Sequence, residues 1–132
     1  MNVLFVCVEN AGRSQIAEAL FSRVADGVHE TRSAGSAPAE RVHPNVISAL
    51  GEIGIDAAER QPRHLDPEDI DWADVVVTMG CGDRCPATPG KTRIDWQLPD
   101  PRQATLEETR FVRDRIALRV IDLLFDLDEG RF

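Results

Sequence analysis

The 132-residue sequence contains no tyrosine, a single lysine and only three cysteines, and no apolar run approaches the ~20 residues that a membrane-spanning helix needs. Its net charge is −8. Because nucleic-acid backbones demand a basic protein face, this charge excludes nucleic acid as an expected partner. The first residues carry no basic leader, so we expect a cytoplasmic protein without membrane association. The length suits one domain spanning residues 1–132, which we expect to be a monomer.

The three cysteines are Cys7, Cys81 and Cys85. In a reducing compartment, cysteines are more often reactive or metal-binding than structural. An odd number also fits a relay of thiols better than a set of permanent bridges. The cysteines are therefore the first candidates for chemistry in this chain.

A Cys-x5-Arg-Ser loop lies between the first apolar run and the first amphipathic segment. Residues 3–6 predict a buried parallel strand, and residues 14–24 carry apolar side chains at helical spacing. A helix N-terminus leaves its first N–H groups unpaired and concentrates positive charge, which favours a bound tetrahedral oxyanion. The predicted oxyanion-binding residues are Val8, Glu9, Asn10, Ala11, Gly12, Arg13 and Ser14.

The same loop predicts a reactive thiol at Cys7. Cysteines at a helix N-terminus beside a cation titrate at roughly 3.5 to 7.5 instead of ~8.5, and are thiolates at neutral pH. Arg13 can clamp two oxygens of the bound anion with its planar guanidinium. In the alternative interpretation, Cys7 is a small buried apolar residue that ends a strand, and Arg13 is a surface residue.

Alternating strand and helix signals run through the rest of the chain. We predict further strands at residues 29–34, 74–79 and 91–96, and helices at residues 44–53, 67–72 and 105–128. This order predicts an α/β fold with a doubly wound, four-stranded parallel sheet flanked by helices. Ligands bind at the carboxyl ends of such strands, where we expect both Cys7 and Cys81.

The last predicted helix carries an apolar stripe that we expect to be buried, leaving no exposed apolar stripe on the protein. The residues of this stripe are Phe111, Val112, Ile116, Val120, Leu123, Leu124 and Leu127.

Cys81 and Cys85 lie four residues apart, in a loop with glycine on both sides of Cys81. A disulfide needs Cα atoms within about 7 Å, so the two thiols can be bridged after a local rearrangement. Two other interpretations stay open: two merely buried cysteines, or half of a zinc site completed by Cys7 or by a histidine. We predict no metal, because none of the histidines lies at close ligand spacing: His29, His43 and His64.

A general acid is expected in the segment from Asp95 to Pro101. When a thiolate displaces an oxygen from a tetrahedral oxyanion, the leaving oxygen needs a proton, and a carboxylic acid can deliver it. Asp100, fixed between two prolines, is the preferred candidate, and Asp95 is the second. The alternative is that Asp100 is a solvated aspartate that begins an Asp-Pro turn.

Together, these residues resemble the low-molecular-weight tyrosine phosphatase-like family and, within it, the thioredoxin-coupled arsenate reductases. The resemblance covers nearly the full length of the chain. It depends on the Cys7 to Ser14 loop, the Ser-Ala-Gly turn at residues 33–35, the strand at residues 75–79 with the two later cysteines, and the Asp-Pro pair at residues 100–101.

The resemblance implies a mechanism for arsenate reduction in arsenic detoxification. Cys7 would attack arsenate, Arg13 and the loop amides would hold it, and Asp100 would protonate the departing hydroxide. Cys81 would then attack Cys7 and expel arsenite, and Cys85 would attack Cys81. The resulting disulfide would be reduced by thioredoxin, with no bound cofactor. Phosphate or sulfate would mimic the substrate.

Some residues depart from the family pattern. Ala11 and Gly12 stand where many members have a second cysteine, and the spacing between the two later cysteines is shorter than in some relatives. Some reductases of the family bind potassium beside the loop. Three of the residues that hold it match here, as Asn10, Glu18 and Ser33, but residues 61–64 offer no acid. We predict that Arg63 replaces the ion.

Two other functions fit part of the pattern. A phosphatase acting on phosphomonoesters explains Cys7, Arg13 and Asp100 but leaves the other cysteines unused. A non-catalytic oxyanion or redox sensor would signal through the later disulfide. A variant of the reductase hypothesis uses a low-molecular-weight thiol, such as glutathione or mycothiol, in place of the internal cysteines.

Overall fold

The chain folds into a four-stranded sheet with helices on both faces. The computed structural model describes residues 1–80, 85–101 and 104–132. Its elements, in chain order, are β1 (Asn2–Cys7), α1 (Arg13–Ala25), β2 (Glu30–Gly35), α2 (Pro44–Gly51), α3 (Pro67–Trp72), β3 (Val75–Met79), β4 (Thr92–Trp96) and α4 (Leu106–Asp128).

The sheet is parallel throughout, with strand order β2-β1-β3-β4. The chain moves outward from β1 in both directions, which confirms the predicted doubly wound α/β fold. Cys7 lies opposite Gly35 at the end of the β1–β2 pair, and Met79 lies opposite Trp96 at the end of the β3–β4 pair. The loops that follow β1, β3 and β4 therefore meet at one edge of the sheet.

Each face of the sheet is covered by its own apolar layer. Side chains from α1, α2 and α4 form the larger core, in which Phe5 packs edge-on against Phe21 and near Trp96. A smaller cluster under α3 includes Leu4 and Val76. Because β1 is buried on both faces, residues 3–6 read as one continuous apolar run.

The predicted elements are confirmed, with shifted boundaries. Helix α2 ends at Gly51, two residues before the predicted end, since the chain turns at Gly54 with a φ of +85°. Residues 60–65 form a loop with one isolated bridge, between Gly35 and His64. Within the described parts of the chain, no helix is long and apolar enough to cross a membrane.

One expectation about α4 is wrong. Phe111 was predicted to belong to the buried stripe, but it is 57% exposed. Leu118, Ile121 and Phe125 are also exposed on this helix, so an apolar stripe does face the solvent. The buried side of α4 is formed by Val112, Ile116, Val120, Leu123 and Leu127. Phe111 lies nine residues, or two and a half helical turns, from Val120, which places it on the side of the helix opposite the buried residues.

Candidate active site

The loop from Val8 to Gly12 turns its carbonyl groups outward. Ala37 N–H donates to the Val8 carbonyl (2.8 Å), Ala39 N–H to that of Glu9 (3.0 Å) and His43 N–H to that of Ala11 (3.0 Å). The remaining two carbonyls accept from the Gln15 side chain and from the Ile16 N–H. In a trans peptide the carbonyl and the next N–H point in opposite directions, so the loop N–H groups face inward. The arrangement is a cradle for an anion.

Two backbone features let the cradle close. Asn10 adopts left-handed geometry, with a φ of +50°, which asparagine tolerates better than most residues. Gly35 lies directly beneath the loop, where a Cβ atom would sit 2.5 Å from the Val8 carbonyl oxygen and 2.9 Å from the Asn10 nitrogen. Only glycine permits this approach, which gives a physical reason for the Ser-Ala-Gly sequence at the end of β2.

Cys7 ends β1 at the base of the cradle, where it is a free cysteine and 4% exposed. Its Sγ atom lies 2.8 Å from the Ser14 hydroxyl oxygen. That oxygen accepts a hydrogen bond from the Asn10 side-chain amide at 2.7 Å. The predicted nucleophile is thus packed against a hydroxyl at the start of α1 and beneath the inward-facing N–H groups.

Arg13 is the first residue of α1, and its side chain crosses the mouth of the cradle toward the loops after β3 and β4. Its Nη1 atom donates to the Leu98 carbonyl (3.1 Å), and its Nη2 atom lies 3.5 Å from an Asp100 carboxylate oxygen. A Cβ atom on Gly80 would lie 2.3 Å from Arg13 Nη1. The structure therefore brings the predicted clamp and the predicted acid together.

The geometry separates the two candidate acids. Asp95 accepts hydrogen bonds from Thr78 and Arg93, and its pKa is lowered, first by the hydroxyl of Thr78 and then by the Arg93 guanidinium. A lowered pKa disfavours the protonated form that an acid catalyst needs. Asp100 instead lies beside Arg13 at the mouth of the cradle.

The loop that carries Asp100 is anchored from two sides. Pro101 packs on Gly12, where a Cβ atom would lie 2.9 Å from the proline Cγ. Asn45 donates from its side-chain amide to the Pro101 carbonyl (3.0 Å) and to the Thr109 hydroxyl (2.6 Å). Helices α2 and α4 thus anchor the loop that carries Asp100 beside the anion cradle.

Cys85 is disulfide-bonded. It lines a cavity of about 330 Å³ at the carboxyl ends of β3 and β4, together with Thr78, Gly80, Arg93, Asp95, Trp96 and Gln97. The other predicted relay cysteine, Cys81, lies outside the described residues. Gly80 borders both this cavity and the Arg13 guanidinium, so the cavity adjoins the mouth of the cradle.

Behind the cradle, two arginines lie beside Asn10, Glu18 and Ser33, the residues that match the potassium ligands of some relatives. Arg63 donates from its backbone N–H to the Asn10 side-chain oxygen (2.9 Å) and from its guanidinium to the Ser33 carbonyl (2.7 Å). The Glu18 carboxylate is paired with Arg60, which the prediction did not include. Ser33 also donates its hydroxyl to Glu18, at 2.7 Å.

The histidines lie apart from one another. His29 pairs with Asp128 at 2.9 Å and His64 with Asp66 at 3.3 Å, while His43 lies 3.9 Å from Glu9 at the rim of the cradle. Residues 1–80, 85–101 and 104–132 contain no group of three or more histidine, cysteine or acidic side chains that could hold a metal ion.

An anion cradle with a buried cysteine at its base and an arginine at its mouth, on this parallel sheet, is typical of one class of protein. The family model of low-molecular-weight phosphotyrosine protein phosphatases matches residues 2–131, and the chain belongs to that family.

Several similar proteins in the family are named arsenate reductases. An arsenate reductase of Halalkalibacterium halodurans is 41% identical over 128 residues, covering 89% of this chain and 91% of that protein. The glutaredoxin arsenate reductase of Synechocystis is 36% identical over 125 residues, covering 92% and 95%. The solved structure of the thioredoxin-dependent arsenate reductase of Corynebacterium glutamicum is 41% identical with a TM-score of 0.83, covering 98% of this chain and 62% of that chain.

Sequence reasoning missed several residues that shape the site. Gln15 lies in the first turn of an amphipathic helix but is only 2% exposed. A buried side-chain amide needs hydrogen-bond partners, which marks Gln15 as a residue that links neighbouring segments. Arg60 and Asn45 gave no local signal, since their importance comes from segments that are distant in sequence. Gly80 was noted only as a neighbour of Cys81, and its approach to Arg13 was not predicted.

Proposed function

We propose that the protein is an arsenate reductase that acts in arsenic detoxification through Cys7, Cys81 and Cys85, with thioredoxin as reductant. The observation that supports this most directly is the position of Cys85: a disulfide-bonded cysteine borders a cavity that adjoins the cradle of the free Cys7. A phosphatase has no use for such a redox pair. The arsenate reductase names of relatives across most of the chain length support the same conclusion.

In the proposed first step, the cradle N–H groups and Arg13 bind arsenate and the Cys7 thiolate attacks arsenic. A sulfur–arsenic bond forms and an arsenic–oxygen bond breaks, with Asp100 giving its proton to the departing oxygen so that water leaves. Arsenic is still pentavalent in this adduct.

Arsenic is reduced in the second step. The Cys81 thiolate attacks the Cys7 sulfur, a disulfide forms, and the electron pair of the sulfur–arsenic bond passes to arsenic, which leaves as arsenite. The Cys85 thiolate then attacks Cys81 and frees Cys7. The two electrons gained by arsenic are balanced by one disulfide, between Cys81 and Cys85, which a thioredoxin dithiol reduces.

The test follows NADPH consumption with arsenate, thioredoxin and thioredoxin reductase, for the wild type and for Cys7→Ser, Cys81→Ser and Cys85→Ser. We expect all three substitutions to abolish turnover. Cys7→Ser should also abolish release of arsenite in a single turnover, whereas Cys85→Ser should still release one equivalent. Wild-type protein that stays inactive with thioredoxin, and equally with glutaredoxin and glutathione, would overturn the proposal.

A phosphatase is the second candidate, because the family model is that of phosphotyrosine phosphatases and the cradle suits phosphate as well as arsenate. It predicts release of phosphate from an aryl phosphate with only Cys7 essential among the cysteines. If arsenate reduction fails and this activity is present, the phosphatase is the correct assignment.

A further inference from the structure

A continuous chain of hydrogen bonds connects Arg60 to Cys7. Arg60 Nε donates to Gln15 Oε1 at 2.8 Å, and Gln15 Nε2 donates to the Asn10 side-chain oxygen at 3.1 Å and to the Asn10 carbonyl at 3.0 Å. The Asn10 amide nitrogen donates to the Ser14 hydroxyl, which touches the Cys7 sulfur. Gln15, Asn10 and Ser14 are all buried.

The direction of each bond from Arg60 to Ser14 is fixed, and a Cys7 thiolate can only accept from the Ser14 hydroxyl. A guanidinium can only donate, so Gln15 must present its oxygen to Arg60 and its nitrogen to Asn10. The Arg63 backbone N–H also requires an acceptor at the Asn10 side-chain oxygen. The Asn10 nitrogen therefore faces Ser14, and the Ser14 hydroxyl has its hydrogen left for the Cys7 sulfur.

We propose that Gln15 and Arg60 are positioning residues that hold the Ser14 hydroxyl as a hydrogen-bond donor to the Cys7 thiolate and hold the Asn10 carbonyl out of the anion cradle. A donor to a thiolate stabilises it, and a carbonyl turned into the cradle would repel the bound oxyanion. This inference depends on Cys7 being the nucleophile of the proposed function, but it does not depend on which oxyanion reacts.

Gln15→Glu is the sharpest variant, because it keeps the size of the side chain and removes both donors. Its carboxylate would face three acceptors, the two oxygens of Asn10 and the Gln61 carbonyl. Arg60→Ala removes the other end of the chain, and Arg60→Lys restores a donor. Arg23→Ala is the matched control, since Arg23 lies in the last turn of α1 and donates to the Ile53 carbonyl, far from the cradle.

The experiment measures the rate of Cys7 alkylation by iodoacetamide against pH, followed by mass spectrometry of the Cys7 peptide. We expect Gln15→Glu and Arg60→Ala to raise the midpoint of the pH profile by roughly half to one unit, with Arg60→Lys between them and the wild type. Arg23→Ala should leave it unchanged. The readout needs no arsenate, so it stands even if the protein proves to be a phosphatase.

Two results would overturn the positioning role. One is an unchanged midpoint in a Gln15→Glu protein whose circular dichroism and melting temperature match those of the wild type. The other is an equal shift in Arg23→Ala, which would mean that any loss of an α1 contact has the same effect.

A second inference comes from the exposed stripe on α4. Phe111, Leu118, Ile121 and Phe125 are 57, 63, 56 and 54% exposed, and they lie on the side of the helix opposite its buried residues. Apolar residues at the centre of a helix's solvent face, rather than at its margins, are typical of an interface. Arg115 packs over the Phe111 ring at the edge of this stripe.

The sequence of the stripe is complementary to itself in the antiparallel direction. Phe111 and Phe125 lie seven residues to either side of Leu118. Two α4 helices packed antiparallel about Leu118 would place Phe111 against Phe125 of the other copy. In this register residue 115 lies opposite residue 121 and next to Asp122 of the other copy, so an Arg115–Asp122 pair can form twice in the interface. Asp122 also lies opposite Asp114, whose charge is paired with Arg113 of its own helix.

We infer that the occupant of this stripe is a second copy of the chain, bound through antiparallel α4 helices. The sequence led us to expect a monomer without an exposed apolar stripe, and the structure shows such a stripe on α4. One helix pair is a small interface, so we expect association in the micromolar range.

Sedimentation velocity over a concentration series tests the interface. We expect a reversible dimer that Leu118→Glu abolishes, whereas Val28→Glu, at an exposed valine outside α4, leaves it intact. Arg115→Asp should weaken the dimer, and adding Asp122→Arg in the same chain should restore it. A wild-type protein that stays monomeric at roughly 200 μM, or a dimer that tolerates Leu118→Glu, would overturn the inference.

Discussion

The loop after β1 and the loops after β3 and β4 meet at one edge of the sheet but are built in opposite ways. In the first loop Asn10, Ala11 and Ser14 are fully buried, and each carbonyl from Val8 to Gly12 accepts a hydrogen bond. In the other loops the Asp100 carboxylate is 45% exposed and Cys85 is only half-buried.

This difference fits the roles that we propose for the loops. Donors that stabilise charge on an oxyanion work best when they are already in place before the reaction, and their surroundings must therefore be rigid. A disulfide that an external protein reduces must be accessible, and an acid over the cradle must let substrate enter. Substitutions can perturb the rigid loop and the accessible loops separately.

Arg13→Lys should have the largest effect, because it changes the cation that follows the rigid loop. A lysine cannot make the two parallel contacts of a guanidinium with an oxyanion, nor hold the Leu98 carbonyl at the same time. We expect kcat/KM for arsenate to fall by about 10² to 10³, with an unchanged melting temperature. A loss of less than threefold would show that the cradle N–H groups bind the anion without this clamp.

Asp100→Asn probes the accessible side. The amide cannot protonate the departing oxygen, so the rate of formation of the Cys7 adduct should fall by about 10²-fold in single-turnover experiments. Asp95→Asn is the matched control, since that carboxylate is held by Thr78 and Arg93, and we expect it to stay within threefold of the wild type. The reverse order of effects would move the acid role to Asp95.

Asp69→Asn tests how far the rigid loop after β1 depends on the buried charges behind it. Asp69 is fully buried; burial raises its pKa, but the Asp66 N–H and the guanidinium of Arg63 outweigh that effect, so the pKa is lowered. The folded state then gains stability above the ordinary pKa of 3.8, and loses it as pH falls through the lower folded value.

We expect Asp69→Asn to lower the free energy of unfolding by about 2 kcal/mol at pH 7, and to flatten its decline below pH 4. Urea unfolding at pH 3 to 7 measures both. Glu52→Gln is the control. Glu52 has its pKa lowered to about 2, chiefly by its hydrogen bond with Arg110, but it lies at the surface, so its contribution should be smaller. A larger loss for Glu52→Gln would contradict this account.

The fold and most of the site could be predicted from the sequence because both depend on local patterns of residues. The strand-loop-helix at residues 3–24 places Cys7 and Arg13 by spacing alone, and each strand and helix was found within two residues of its predicted ends. Arg60 could not be found this way, since it reaches Gln15 and Glu18 from a loop more than forty residues away. Phe111 was misassigned although helical spacing argues against it: it lies nine residues, or two and a half turns, from the buried Val120, on the other side of the helix.

Gly80→Ala disturbs the contact between Arg13, which follows the rigid loop, and the start of the accessible loop after β3. A Cβ atom at residue 80 would lie 2.3 Å from Arg13 Nη1, so the guanidinium must move. We expect KM for arsenate to rise about tenfold. Gly54→Ala is the control for backbone strain, because Gly54 also has a positive φ, +85°, but open space around its Cβ position. An equal change in both variants would assign the effect to strain rather than to Arg13.

Potassium should have the smallest effect. The carboxylate of Glu18, which matches an ion ligand in some relatives, is paired with Arg60 and accepts a hydrogen bond from the Ser33 hydroxyl. Arg63 donates from its guanidinium to the Ser33 carbonyl and from its backbone N–H to the Asn10 side-chain oxygen. A cation that entered would have to displace two guanidinium groups whose bonds support the cradle. We therefore expect equal melting temperatures and equal kcat/KM in potassium and sodium buffers at matched ionic strength. Arg60→Ala should differ, because it leaves the Glu18 carboxylate without its guanidinium, and a response to potassium that appears only in this variant would show that Arg60 takes the place of an ion.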